Sequence, residues 1–555
     1  MNKKVLVTTA WPYANGPLHL GHLAGSYLPA DIFARYNRMI GNETLMVSGT
    51  DEHGTPISVQ ADKEGCAPKE IVDKYHKVIK RSLEDIGCSY DLFTRTTTDN
   101  HRKTVQEFFL TLFENGYIYE KDMELYYCPK CRRFLPDRYV EGTCPKCGAE
   151  EARGDQCDAC GRTLESTELI NPRCKHCGSA PEIRERTHYF FKLSAFQDRL
   201  IKWIESKRDV WRPNVYQFTI NWLKEGLRDR PITRDLEWGI PMPIKGAEDK
   251  VIYVWFEAVI GYLSATKEYF INKGCPDGWI DWWKTPDTET YYFIGKDNIP
   301  FHTIIWPAML LAHGGLNLPT NVPANEFLNL EGEKFSTSKG YAVWLDEYLE
   351  HFAPDPLRYC LSINMPESKD ADFSWDEFQR RNNEELVSTL GNFVHRVLTF
   401  IDRFYDGIIP RPSTLDPRDK SVLRDISKTV DVVGKHIQNC EFKKAMASVM
   451  SLASLGNQYF NEKEPWKTDK KAGASTLYVS ACVVRSLSIL MVPFLPFSAQ
   501  KLWNMLGYGD SVHEQQWSSA KEPVTSQPIK DVAPLFKMLG DEDIAEQKAK
   551  LEAIK

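Results

Sequence analysis

Four Cys-x2-Cys pairs crowd into residues 128–177, namely Cys128/Cys131, Cys144/Cys147, Cys157/Cys160 and Cys174/Cys177, and no other feature constrains the fold as sharply. Each pair has the span of one thiolate knuckle of a tetrahedral site, so eight cysteines make two four-ligand sites with no position left open for water. Two structural zinc ions are the natural expectation. The chain begins Met1-Asn2-Lys3-Lys4 and passes straight into the strand-like Val5-Leu6-Val7-Thr8-Thr9, without the apolar run and cleavage site of a secretion signal. A cytoplasmic, reducing setting is therefore expected, where such cysteines bind metal rather than pair as disulfides. Four knuckles combine two by two in three ways, and the short gaps between them favour adjacent pairs.

At 555 residues the chain exceeds what one hydrophobic core supports, so several domains are expected. Residues 1–118 alternate apolar strand candidates, such as Leu45-Met46-Val47, with amphipathic helical stretches, the rhythm of a parallel α/β sheet. Residues 119–235 break that rhythm with the cysteine segment and helices predicted over 195–207 and 215–227. The rhythm resumes over 236–325 with Val251-Ile252-Tyr253-Val254-Trp255 and Tyr291-Tyr292-Phe293-Ile294-Gly295. One nucleotide-binding domain, split by an insertion, accounts for this order. A connecting segment, 326–385, follows with an expected loop after Phe327–Leu330. Beyond 385, Leu386, Leu390, Phe393, Val397 and Ile401 recur at helical spacing, predicting a helical bundle over 386–540. Residues 541–555 are polar and helix-prone, expected as a tail or linker.

Net charge is −7, so any nucleic-acid binding must rest on a local patch. Residues 391–470 supply one, with 13 Lys and Arg against 10 Asp and Glu. The apolar stretch 478–497 is interrupted by Arg485, Pro493 and Pro496, which predicts a buried core helix rather than a membrane span.

Two short motifs carry the chemistry. Pro17-Leu18-His19-Leu20-Gly21-His22 follows the first strand, where doubly wound sheets bind ligands. Two imidazoles on the opening turn of a helix can face a phosphate, and Gly21 lets an adenine ring approach the backbone. Lys334-Phe335-Ser336-Thr337-Ser338-Lys339-Gly340 stands about three hundred residues later. Either alone is weak: an isolated His-x-x-His is also compatible with a metal site and is far more often plain polar surface, and the second segment alone reads as a solvated basic turn.

Together they resemble the paired signatures of class I aminoacyl-tRNA synthetases, His-x-Gly-His early and Lys-Met-Ser-Lys-Ser late. Ala10-Trp11-Pro12-Tyr13-Ala14-Asn15-Gly16, Gly49-Thr50-Asp51-Glu52-His53-Gly54, Trp255 to Tyr262 and Phe293-Ile294-Gly295-Lys296-Asp297 are similar to landmarks of the methionyl branch. The resemblance implies a Rossmann-like parallel sheet, split by a zinc-binding insertion and followed by a C-terminal α-helical bundle. It implies a ligase that activates L-methionine with ATP and Mg2+ and loads it onto tRNA(Met), initiator and elongator. No membrane is involved, and a monomer is expected.

By the same resemblance, His19, His22, Lys334 and Lys339 serve catalysis, and Trp11, Tyr13, Asp51, Trp255, Tyr262 and His302 hold methionine. ATP would meet His19, Gly21, His22, Gly295, Asp297, Lys334, Ser336 and Ser338. Asn392, Arg396 and Trp466 fall where the family reads the anticodon, and Asn392 and Arg396 share one helical face. The knuckles are implied to nest, with Cys144, Cys147, Cys157 and Cys160 around an inner ion and Cys128, Cys131, Cys174 and Cys177 around an outer one. Thr337 departs from the pattern where a second lysine is usual, and Lys339 is the candidate to replace its charge. Two rivals are a non-catalytic zinc-ribbon RNA-binding protein with a synthetase-like body, and a synthetase for cysteine or a branched aliphatic amino acid.

Overall fold

The computed structural model describes residues 2–135, 139–154, 157, 159–160, 164, 166–337 and 340–554. Strands β1 (Lys4–Thr9), β2 (Glu43–Thr50), β3 (Leu92–Arg95), β4 (Glu289–Gly295) and β5 (Ala324–Asn325) form one sheet in the order β5-β4-β1-β2-β3. Every neighbouring pair is parallel. All of Val5 to Thr9 is buried, as expected of a parallel strand covered on both faces. Alternation then sends Val5 and Val7 into one core, shared with the helical third, and Leu6 into another, shared with helix Asp99–Glu114 and the insertion. The second half of the domain pairs directly with the first, Val5 lying opposite Glu289.

The insertion leaves the sheet as an antiparallel ribbon, Ile118–Cys128 against Glu182–Phe191, with the cysteines at its far end. Helices follow at Gln197–Glu205 and Pro213–Glu225, close to their predicted positions. Val251–Trp255 differs from expectation. Val251–Ile252 joins a small antiparallel sheet with Thr233–Arg234 and Ile240–Pro241, while Val254–Glu257 is helical. A five-residue apolar run has no period long enough to distinguish strand from helix, and tertiary contacts decided it.

Lys334 also lies differently. It is not in a loop but on a hairpin strand, with β6 (Leu328–Leu330) antiparallel to β7 (Glu333–Lys334) and parallel to β8 (Ala371–Phe373). The tight turn uses positive φ at both Glu331 and Gly332, +49° and +79°, which matches the twist of the flanking strands.

The expected stripe Leu386, Leu390, Phe393, Val397 and Ile401 is fully buried. Helix Lys470–Leu490 is long and apolar enough to cross a membrane, yet 94% of its apolar window is buried inside the protein. Where a tail or linker was expected, helix Asp541–Glu552 buries Ile544 and Leu551, and Lys548 pairs with Asp376 at 2.6 Å. Fully buried Arg358 joins the parts: it donates to Asp31 in helix Leu28–Met39 at 2.6 Å and to the carbonyls of Pro493 and Phe494.

Candidate active site and metal sites

Strand order reverses between β1 and β4, and a cavity of about 400 Å³ opens at the C-terminal ends of those two strands. Such a switch point places loop residues from both sides of the sheet around one space. Of the residues predicted to meet methionine or ATP, Trp11, Tyr13, His19, Gly21, His22, Asp51, Trp255, Tyr262, Gly295, Asp297, His302 and Lys334 line it. Ser336 does not line the cavity; its N–H donates to the Tyr341 carbonyl at 2.9 Å. Ser338 and Lys339 lie outside the described residues.

The histidine pair caps its own helix. His19 is extended at the N-cap, and its Nδ1 accepts the Gly21 N–H at 3.1 Å, while His22 Nδ1 accepts the His19 N–H at 3.2 Å. With each Nδ1 acting as acceptor, the neutral ring carries its proton on Nε2, the atom left to donate to a ligand. Burial holds both imidazoles below their usual range, His22 at about 4, so neither is charged at neutral pH. A side chain on Gly21 would sit 2.9 Å from the His19 ring, which accounts for the glycine. The helix continues as a π segment, Leu23–Tyr27, and a second π segment, Phe301–Ile305, carries His302 to the opposite wall. Such segments gather at functional sites because they re-aim side chains.

On the apolar side Trp255 stacks on Phe301, centroids 4.3 Å apart, and meets Tyr13 edge-on. His302 Nδ1 lies 3.0 Å from the Asn298 carbonyl and therefore bears the proton, leaving Nε2 to accept from the Tyr262 hydroxyl at 2.6 Å. Burial also holds His302 down to about 4. Asp51 is buried at the end of β2, and burial, reinforced by the nearby Glu257 charge, pushes its carboxyl well above the usual range. An ammonium ion delivered there would offset that cost.

The two signatures are stitched by backbone. Leu20 N donates to Val343 O at 3.2 Å and Leu345 N to Leu18 O at 2.7 Å. Phe335 stacks on His19, a contact not anticipated from sequence although the residue sits inside the second signature. Phe301, Tyr27 and Asn298 were missed likewise; adjacency to His302 and Asp297 hinted at Phe301 and Asn298, while Tyr27, five residues past His22, carried no such signal.

Among the described residues two four-cysteine groups form, Cys128/Cys131/Cys174/Cys177 and Cys144/Cys147/Cys157/Cys160, with all Sγ atoms of a group within 4.8 Å of one another. The knuckles nest, as the family resemblance implied and against the preference for adjacent pairs that spacing alone expressed. Cross-knuckle Sγ distances include 3.5 and 3.9 Å in the outer group and 3.6 and 3.9 Å in the inner. A tetrahedron with metal–sulfur bonds of about 2.3 Å has edges of about 3.8 Å, so both groups fit zinc. These separations are far beyond the ~2.05 Å of a disulfide.

In the helical third, Arg396 donates to Asn461 Oδ1 at 2.9 Å, and its guanidinium lies 5.6 Å from the ring of half-exposed Trp466. Asn392 is exposed one turn earlier on the same helix, Asn392–Phe404. Trp466 is delivered by a chain reversal at Glu464, which takes a left-handed conformation ahead of Pro465.

The family model of class I tRNA synthetases (M) matches residues 5–398, and that of the anticodon-binding domain of tRNA ligases matches residues 419–549. The chain belongs to the class I methionyl-tRNA synthetase family. A methionine–tRNA ligase of Dehalococcoides mccartyi is 51% identical over 554 residues, spanning 99% of this chain and 100% of its own. One from Thermomicrobium roseum is 52% identical over 514 residues, 92% of this chain and 88% of its own. The methionyl-tRNA synthetase of Mycobacterium tuberculosis, solved in complex with methionyl-adenylate, superposes with a TM-score of 0.80 at 26% identity, covering 97% of this chain and all of that one. The cavity of this synthetase thus lies in the part matched by the catalytic family model, and Trp466 in the part matched by the anticodon-binding model.

Proposed function

We propose that the chain is a methionine–tRNA ligase working on L-methionine, MgATP and tRNA(Met), both initiator and elongator being substrates, as a monomer in the cytosol. The observation that carries this reading is the meeting, in one cavity, of the two signature segments with a buried carboxylate and an aromatic wall. Asp51 receives the substrate ammonium. Tyr13, Trp255 and Tyr262, with Trp11 beside them, surround the thioether, whose polarizable sulfur favours aromatic contacts that a branched aliphatic chain lacks. Tyr262 is held in place by His302.

The methionine carboxylate oxygen attacks the α-phosphorus of ATP, and the bond to the β-phosphate bridging oxygen breaks, releasing pyrophosphate. A ribose hydroxyl of the terminal adenosine of the tRNA then attacks the adenylate carbonyl and AMP leaves. No nucleophile of the protein is required. Catalysis comes from alignment and from donors aimed at developing phosphate charge: the Nε2–H groups of His19 and His22, and the ammonium of Lys334. Gly21, Gly295 and Asp297 frame the nucleotide, and Ser336 and Ser338 of the second signature are assigned to it by family likeness, with Lys339 supplying the charge that Thr337 lacks. Asn392, Arg396 and Trp466 read an unstacked anticodon by hydrogen bonding and stacking. The eight cysteines hold two zinc ions that staple the insertion and take no part in the chemistry.

Exchange of labelled pyrophosphate into ATP, run with methionine, isoleucine, leucine, valine and cysteine in turn, tests this. Exchange with methionine alone is expected. Exchange with another amino acid would overturn the pocket assignment, and none at all would favour a non-catalytic RNA-binding role.

A further inference from the structure

Behind Asp51 lies a buried charged cluster that the reaction as described leaves unused. Glu257, wholly buried, is 2.9 Å from His53 Nδ1 and 3.3 Å from His101 Nε2, and His101 Nδ1 is 2.7 Å from Ser264 Oγ. His53 stands two residues past Asp51, whose Oδ1 accepts its backbone N–H at 3.4 Å. Glu257 is the neighbour but one of Trp255. The His53–Glu257 pair therefore clasps two walls of the cavity, the exit of β2 and helix Val254–Glu257.

Three carboxylates meet here, and an excess of buried negative charge is costly. Glu52 is already engaged by Arg95 at 2.8 Å. Burial works against ionisation of Glu257, yet His53 and His101 hold its carboxyl below the usual range. Burial also opposes a charge on His53, and Glu257 outweighs it, raising the imidazole. His101, dominated by burial, is lowered and stays neutral. The Tyr262 hydroxyl, which donates to His302, is kept protonated chiefly by burial, with the Asp51 charge adding to the effect.

We propose that His53, protonated against Glu257, is a positioning residue for substrate recognition: it cancels the Glu257 charge, so that Asp51 presents its own negative charge to the ammonium of methionine. The proposal rests on the reading of Asp51 as the ammonium partner. Without the His53 charge, Glu257 and Asp51 face each other uncompensated, and Asp51, whose carboxyl burial and Glu257 already push well above the usual range, takes the proton, so that the ammonium loses its counter-ion.

The test is pyrophosphate exchange by the zinc-replete enzyme carrying His53→Asn, Glu257→Gln or both. Asparagine keeps a donor near the Nδ1 position but no charge, and glutamine keeps the shape of Glu257 without its charge. His53→Asn should raise the methionine KM roughly tenfold while leaving the ATP KM unchanged. Inhibition by methioninol, which keeps the ammonium but lacks the carboxylate, should weaken in parallel. Glu257→Gln alone should leave the methionine KM within about threefold of the parent, and the double variant should return to that range. A purely structural cluster would make the two losses add. Additive losses, a tenfold rise from Glu257→Gln alone, or an equal rise in the ATP KM would overturn the proposal. Failure of the parent enzyme to exchange with methionine would instead overturn the functional reading.

Discussion

The ring of Phe335 lies flat on the imidazole of His19, centroids 4.7 Å apart and planes 11° from parallel. One residue of each signature thus forms a continuous stacked surface over Gly21, whose missing side chain would come within 3.6 Å of Phe335. Removing the ring with Phe335→Ala should raise the ATP KM by up to about tenfold, since an aromatic pair is worth roughly 0.5–1.5 kcal/mol. Phe335→Met, which restores the residue usual in the family, should stay within about threefold. Steady-state exchange kinetics at varied ATP measure both.

His19 has two separable jobs, a helix cap through Nδ1 and a donor through Nε2. His19→Asn retains a cap acceptor and loses the distal donor. Thermal stability should stay near the parent value while the exchange kcat falls by about 10²-fold, the scale of one lost transition-state donor. His19→Ala loses both and should cost about 1 kcal/mol of stability besides. A cap-only role would leave the Asn variant active.

His22 and His302 are both held at about 4 by burial, against an ordinary value of 6.5. The folded state therefore prefers their neutral forms. Their contribution to stability is level above pH 6.5, begins to fall below it as the unfolded chain takes up protons, and stops falling near pH 4. Exchange activity should show no histidine titration between pH 6 and 8 attributable to these rings. A midpoint near 6.5 that disappears in His302→Gln would contradict the assignment.

The nested cysteine pairing has a direct stoichiometric consequence. Cys128→Ser combined with Cys174→Ser strikes one site if the knuckles nest, and both if adjacent knuckles pair. Native mass spectrometry should find one zinc retained per chain. Loss of both ions would favour adjacent pairing.

Arg396 and Trp466 should matter to the tRNA and not to the adenylate. Either residue changed to Ala is expected to raise the tRNA KM in aminoacylation by about ten- to a hundredfold, the scale of one lost base stack, with pyrophosphate exchange unchanged. A parallel loss in exchange would point to a structural role.

Lys334→Ala should abolish adenylate formation, and Lys339→Ala should slow it at least tenfold if Lys339 replaces the charge missing at Thr337. An undiminished rate in Lys339→Ala beside a dead Lys334→Ala would refute that compensation. Single-turnover adenylate formation measures the step directly.

The sequence by itself determined the class of fold, the location of the insertion, the helical final third and twelve of the residues gathered in the cavity. These are written in local terms: strand rhythm, helical spacing, cysteine pairs and two signatures whose order survives any amount of intervening chain. Spacing did not determine which knuckles share a site; tertiary structure does, because the Ile118–Cys128 and Glu182–Phe191 ribbon brings Cys128 and Cys177 to 3.5 Å across 49 residues of sequence. Tertiary structure alone decided that Val251–Trp255 leaves the parallel sheet, that Asp541–Glu552 docks, and that Phe335 covers His19. The contact between Glu257 and His53 spans 204 positions and leaves no periodic trace in the sequence. Such pairings arise from where the chain returns after folding, and no window along the sequence contains both partners.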